Sequence, residues 1–137
     1  AWHRVYPAWL IQDCWYLVAM KIDLFDDLFA DSIFSGEDEI RRLLSIQHKS
    51  AEIRDTEDTG AGGFVNYSLS EYRGQRFPID FALPTGSLVD EDGEHVYGIL
   101  IFVRKGVLDF IELYMLSEEP IAIDTLEMRH SAESMIC

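Results

Sequence analysis

The sequence predicts an α+β fold in which two N-terminal helices pack on an antiparallel β-sheet, and three observations carry that expectation. Apolar residues recur at helical spacing as far as Ile46. From Ser50 onward the texture changes to short β-branched and aromatic runs divided by turn residues. Near the C-terminus, two apolar runs flank Lys105-Gly106, which marks a tight hairpin.

Residues 7–29 read as one long helix. Pro7 suits a first helical turn, where its missing N–H is no loss. At about 100° per residue, Leu10, Cys14, Leu17, Val18, Ile22, Leu24, Phe25, Leu28 and Phe29 share a wide apolar face, which a sheet would cover. Asp13, Asp23, Asp26, Asp27 and Asp31 gather on the opposite side. A second helix is expected over residues 36–46, with Ser35 as its cap, Asp38 as the capping-box partner and Ile40, Leu43 and Leu44 as its buried stripe.

Residues 64–69 and 77–83 read as strands, the second alternating around Ile79 and Phe81. Gly60-Ala61-Gly62-Gly63 reads as a flexible turn before the first of them. Val89 followed by Asp90-Glu91-Asp92-Gly93 reads as a strand end and its turn. Residues 95–116 form the central hairpin, in a register that sets Arg104 opposite Val107, Val103 opposite Leu108, Phe102 opposite Asp109 and Ile99 opposite Glu112. Apolar residues on both faces predict central strands covered on both sides or nearly so. A polar tail follows Pro120. No repeat or linker divides the 137 residues, so a single domain is expected, helical over 7–46 and β over 50–123.

Twenty-five Asp and Glu against eleven Lys and Arg give a formal charge of −14. Such a field attracts basic partners and repels nucleic acid and anionic membrane. The chain is nonetheless 48% hydrophobic and 12% aromatic, which argues for a folded core and against disorder. Cys14 and Cys137 have no CxxC or framework spacing and are expected as reduced thiols. No signal peptide is read, and Gln12, Asp13 and Lys21 interrupt the apolar run of residues 9–22, so no membrane span is expected and the cytoplasm is the expected location.

Catalytic and metal motifs fail on spacing. His3, His48, His95 and His130 are scattered, with no arrangement that would gather three or four zinc ligands. The Asp90–Gly93 run lacks the ligand spacing of a calcium loop, since the twelfth position from Asp90 is Ile101. The glycines of residues 60–63 lack the Gly-Lys-Ser/Thr ending of a phosphate loop. No Gly-x-Ser-x-Gly elbow occurs, and Cys14 falls on an apolar helix face, where thiols are inert packing. No catalytic residue, metal or cofactor is therefore expected.

Two strand carboxylates are read as structural. Asp109 lies diagonal to Arg104 and is expected to pair with it, on the face opposite Glu112. Glu112, flanked by Ile111 and Leu113, is expected to be partly buried and met by Arg73 or Arg76. A small hydrolase or lyase using Glu112 with Asp80 or His95 is the enzymatic alternative, and it requires those groups to converge.

The hairpin Gly98-Ile99-Leu100-Ile101-Phe102-Val103-Arg104-Lys105-Gly106-Val107-Leu108-Asp109-Phe110-Ile111-Glu112-Leu113-Tyr114, followed by Glu118-Glu119-Pro120, resembles a pattern in small acidic bacterial proteins. In those, the strand ends Phe-Val, the turn is usually Asp-Gly, and the next strand carries Leu-Glu-(Val/Leu)-Tyr before an acidic Glu-Pro. Here Lys105 stands for the Asp and Ile111 for the Leu. The resemblance covers the C-terminal third in detail and the remainder in outline. It implies an immunity protein, the partner of a polymorphic or contact-dependent toxin.

The charge pattern fits that expectation. Asp23, Asp27 and Asp31 recur at i, i+4 and i+8, at a cost of roughly 0.2–0.5 kcal/mol per like-charged pair in an isolated helix. A stripe that tolerates this is either solvated surface or a contact for a basic toxin domain. The expected partner surface comprises Asp23, Asp27, Asp31, the turn carboxylates Asp90, Glu91, Asp92 and Glu94, and Tyr16 as an aromatic anchor. An acidic interaction module with a non-toxin partner is the remaining alternative.

Overall fold

The computed structural model describes residues 20–131. The start of the first expected helix, with Cys14 and Tyr16, lies outside the described residues, as do His3 and Cys137. Helix α1 spans Phe25–Ile33 and α2 spans Glu39–Ser50. Six strands follow: β1 (Glu52–Asp58), β2 (Gly62–Ser68), β3 (Phe81–Val89), β4 (His95–Arg104), β5 (Val107–Met115) and β6 (Glu127–His130). They form one antiparallel sheet in the order β1-β2-β5-β4-β3-β6. The architecture is the expected α+β, with both described helices N-terminal to the strands.

Alternate residues of each strand point to opposite faces. One face carries Val65, Tyr67, Leu83, Tyr97, Ile99, Ile101, Ile111 and Leu113, which join Phe25, Phe29, Ile33 and Leu44 of the helices in one buried cluster. Each large side chain buried there contributes about 1.5–3 kcal/mol relative to exposure. Buried Tyr97 is held at both ends of one residue's backbone, donating to the Ile121 carbonyl at 2.8 Å and accepting from the Ile121 N–H at 2.9 Å. Burial holds the Tyr97 phenol above its ordinary pKa.

The first helix differs from the expected one. Lys21 takes a left-handed φ of 61°, and a 3-10 turn over Ile22–Leu24 precedes α1, which runs on to Ile33. A tertiary bond competes with helix here, because the Met20 carbonyl accepts from the Ile123 N–H at 3.0 Å. Leu28, expected on the apolar face, is half exposed. Asp26, expected on the polar face, instead turns inward. Its Oδ1 receives the Tyr67 hydroxyl at 2.7 Å and lies 2.8 Å from His48 Nε2. His48 in turn stacks on Phe34, with ring centroids 4.6 Å apart.

Burial opposes the charge on Asp26, but the bonds from His48 and Tyr67 outweigh it and hold the carboxyl below the usual range. A depressed carboxylate pKa contributes stability that is complete above the unfolded value of 3.8 and is lost as pH falls through the folded one. Urea midpoints should therefore fall as pH drops below 3.8, and Asp26→Asn should flatten that acid limb. The same substitution should cost about 1–3 kcal/mol at neutral pH, as expected for disrupting a partly buried bonded charge. An unchanged acid limb in Asp26→Asn would show that other carboxylates set the acid response.

The cap of α2 is Asp38, whose Oδ1 accepts the Arg41 N–H at 2.9 Å, and not Ser35, whose hydroxyl donates to the Ser32 carbonyl. That Arg41 N–H bond holds the Asp38 carboxyl below its usual range. The helix continues past Ile46 to Ser50 because Gln47, fully buried, finds partners for both ends of its amide. Nε2 donates to the carbonyls of Gln75 and Gly106 at 3.2 and 3.0 Å, and Oε1 accepts the Leu108 N–H at 2.8 Å.

Four expectations for the sheet are corrected. The strand expected over residues 77–83 begins only at Phe81, since Phe77 N–H is drawn to the Gly106 carbonyl and Ile79 faces solvent. Residues 52–58, within the expected β part but not assigned to a strand, form the edge strand β1, and the expected polar tail supplies β6. Gly62 and Gly63 belong to β2, leaving the turn to Thr59, Gly60 and Ala61. The Lys105-Gly106 hairpin turn forms with both residues at positive φ, 56° and 80°.

Candidate functional site

The hairpin register holds for its first two pairs and then shifts. Arg104 opposes Val107 and Val103 opposes Leu108, but Asp109 is bulged and Phe102 pairs with Phe110. Glu112 consequently faces Leu100, not Ile99. The bulge places Asp109, Phe110 and Glu112 outside the core face, so Asp109 and Glu112 do not lie on opposite faces as expected.

The helices among the described residues pack on the other face of the sheet and leave this second face without a helix. Among the described residues no element lies over it. Its side chains fall in three rows that cross the sheet. The first runs Asp55, Asn66, Phe110, Phe102, Ala82, and the second runs Glu57, Phe64, Glu112, Leu100, Pro84. The third runs Gly62, Tyr114, Gly98, Ser87, Arg129.

At the centre the rings form a cluster. Phe102 stacks on Phe110 at 4.4 Å, Phe64 meets Phe110 edge-on at 5.7 Å, and the Arg104 guanidinium lies 5.3 Å above Phe110. These aromatics are only half-buried. Aromatic pairs of this geometry contribute about 0.5–1.5 kcal/mol beyond area burial. Carboxylates surround them. The Asn66 amide donates to Asp55 at 2.6 Å and to Glu57 at 3.0 Å, which fixes both acids beside the rings. Glu112 sits between Phe64 and Leu100 and, among the described residues, has no hydrogen bond or ion pair.

The expected arginine partners of Glu112 lie elsewhere. Arg76 donates to the Lys105 carbonyl at 3.1 Å, and Arg73 makes no ion pair among the described residues. Arg104 Nε does stand 3.8 Å from Asp109 Oδ2. The groups of the enzymatic alternative are not brought together. Asp80 accepts the Lys105 N–H at the hairpin turn, Glu112 is mid-sheet, and His95 opens β4. His95 and Leu100, the partner of Glu112, are five residues apart on one strand, a span of about 16 Å.

The other expected contact residues occupy different surfaces. Asp23, Asp27 and Asp31 are exposed on the 3-10 turn and α1. In the β3–β4 turn, the Asp90 carboxylate is engaged by the N–H groups of Asp92 and Glu94, both at 2.9 Å. Glu91, Asp92 and Glu94 are left exposed or nearly so. Tyr16 lies outside the described residues. The aromatic cluster itself is not legible in the sequence. Its only signal is the set Phe64, Leu100, Phe102 and Phe110 beside the carboxylate at 112, and apolar patterning alone assigns those four to the core.

Among the described residues no helix is long and apolar enough to cross a membrane, and no three His, Cys, Asp or Glu side chains group as metal ligands. Comparison with known protein families, curated proteins and solved structures finds no match.

Proposed function

We propose that this chain is an immunity protein that neutralises a basic toxin domain by binding and occluding it. The observation that carries this reading is the sheet face that no described element covers, where Asp55, Glu57 and Glu112 surround the Phe64–Phe110–Phe102 cluster. Interfaces draw most of their energy from a few aromatic anchors, while complementary charge speeds encounter and rejects wrong partners. A face with both, on a chain of charge −14, suits a basic protein surface and requires no chemistry of its own. The hairpin resemblance supports the same reading. The face differs from the α1 stripe expected to bind, since among the described residues Asp23, Asp27 and Asp31 have no such exposed aromatic cluster beside them.

The test uses the toxin domain encoded by the large reading frame adjacent in the native genome, with kinetics at two salt concentrations and growth protection on co-expression. Phe110→Ala should weaken binding by about 2 kcal/mol, chiefly through faster dissociation. Glu57→Gln with Glu112→Gln should slow association and reduce its salt dependence. Neutralising Asp23, Asp27 and Asp31 together should change affinity little. If the toxin domain is neither bound nor neutralised, the immunity reading fails. Loss of binding only in the helix variant would move the interface to α1.

A further inference from the structure

We propose that the β6 end of the same sheet face is a binding site for a small oxyanion, the carboxylate or phosphate group of a ligand with a flat apolar body. A pocket of about 330 Å³ lies there, lined by Arg129, His95, His130, Ser87 and Tyr114 over Pro84 and Gly98. That volume lies at the small end of ligand sites. The proposal is independent of the toxin reading, because it concerns a different end of the face and a ligand of opposite charge.

The lining is unusual for this chain. Asp and Glu supply 25 of its 137 residues, yet among the described residues none lines the pocket. Among the described residues no carboxylate lies within ion-pair distance of Arg129, whose Nη1 approaches the backbone near Gly93. The nearby β3–β4 turn carries exposed Glu91, Asp92 and Glu94, none of which forms an ion pair with Arg129, while Asp90 is engaged by backbone N–H groups. An arginine fork with no ion pair among the described residues is suited to bidentate recognition of an oxyanion.

A neighbour of Arg129 also offers a donor. The Ser87 hydroxyl lies 2.6 Å from His95 Nδ1. With the hydroxyl donating, the neutral imidazole carries its proton on Nε2 and presents an N–H there. His130, paired with Gly86 next to the Arg129–Ser87 pair, turns its ring to the helix side, where Nε2 lies 3.2 Å from the Ser32 hydroxyl of α1, and it offers no donor to this face.

Tyr114 supplies the flat wall. Gly98 opposes it, and a Cβ at Gly98 would fall 2.1 Å from the Tyr114 Cζ. The missing side chain therefore lets the phenol ring lie across β4 towards Ser87, in the row that ends at Arg129. A planar ligand body can stack on that ring while its anionic end meets the guanidinium.

The experiment is an NMR titration of the isotope-labelled chain with sodium phosphate and, separately, sodium benzoate, at fixed pH and ionic strength with chloride as the balancing anion. Saturating shifts are expected at Ser87, Gly98 and Arg129 with at least one probe. Arg129→Ala should weaken that saturation about tenfold or more, as expected for loss of a charged hydrogen-bond partner. Arg129 is exposed on an edge strand, so this variant should keep the parent circular dichroism spectrum. Arg42→Ala, which alters the separate cleft between α2 and residues 75–78, should leave the titration unchanged. Saturation by phosphate alone assigns a phosphate ester, by benzoate alone a carboxylate, and by both a general oxyanion site. Linear shifts with both probes, or saturation undiminished in Arg129→Ala, would overturn the proposal.

Discussion

Gln47→Ala is expected to destabilise the protein by about 3 kcal/mol or more, a large share of the 5–15 kcal/mol by which ordinary domains are stable. The side chain is fully buried and makes three hydrogen bonds, two to the hairpin at Gly106 and Leu108 and one to the Gln75 carbonyl. The losses are unequal. The Gly106 carbonyl also accepts the Phe77 N–H, so it keeps a partner, whereas the Leu108 N–H loses the acceptor at 2.8 Å. Most of the cost comes from that orphaned buried donor and from the cavity the side chain leaves.

Gln47→Met separates the two. It restores most of the volume but none of the hydrogen bonds, so it should cost less than Gln47→Ala by the cavity contribution while retaining the cost of the orphaned Leu108 N–H. Urea unfolding followed by circular dichroism measures both variants. If Gln47→Met unfolds at the parent midpoint, the amide contributes only its shape.

Gly62→Ala should have a comparable or larger effect, and Gly60→Ala, two residues earlier, a small one. Both glycines have positive φ, 140° and 82°, so both substitutions strain the backbone. A Cβ at Gly60 meets nothing within 4 Å, and the expected cost is about 1–2 kcal/mol. A Cβ at Gly62 would lie 2.0 Å from the Leu113 carbonyl oxygen, a backbone atom of β5 that can yield only if the strands separate. The β2–β5 pairing then opens, and β1 loses its attachment to the rest of the sheet. Thermal melts of the two variants decide the matter. Equal melting temperatures would show that φ, and not the close approach of β5, governs this corner.

These residues also show where the sequence is legible. The turn glycines announce a chain reversal, but nothing local distinguishes Gly60, which turns in open space, from Gly62, which lies against a neighbouring strand. Gln47 looks like one more polar residue at the end of a helix. Its burial depends on a hairpin about sixty residues later presenting an N–H and a carbonyl at the same point. Asp26 falls on the polar side of a helical wheel, yet Tyr67 and His48 supply the bonds that draw it inward. Strand β1 escapes a reading of apolar pattern because an edge strand needs little of it. Its residues Glu52–Asp58 are mostly exposed and are held by pairing to β2.

The hairpin divides along the same line. Its location, turn and first two pairs follow from Lys105-Gly106 and the flanking apolar runs. The bulge at Asp109 does not, and a one-residue slip in a strand of period two moves side chains to the other face. That slip sets Phe110 against Phe102 and gathers Asp109 and Glu112 on the side that no described element covers. The acidic aromatic face therefore depends on a local irregularity that alternation alone cannot reveal.

By itself the sequence determined the α+β class, the central hairpin and its turn, and the strong negative charge, because helical and strand periods and net charge are sums over local residues. Tertiary structure decided the strand order, the inward roles of Asp26 and Gln47, and which sheet face the described helices cover. Each of those depends on what a distant segment presents to a given side chain, and spacing along the chain does not encode it.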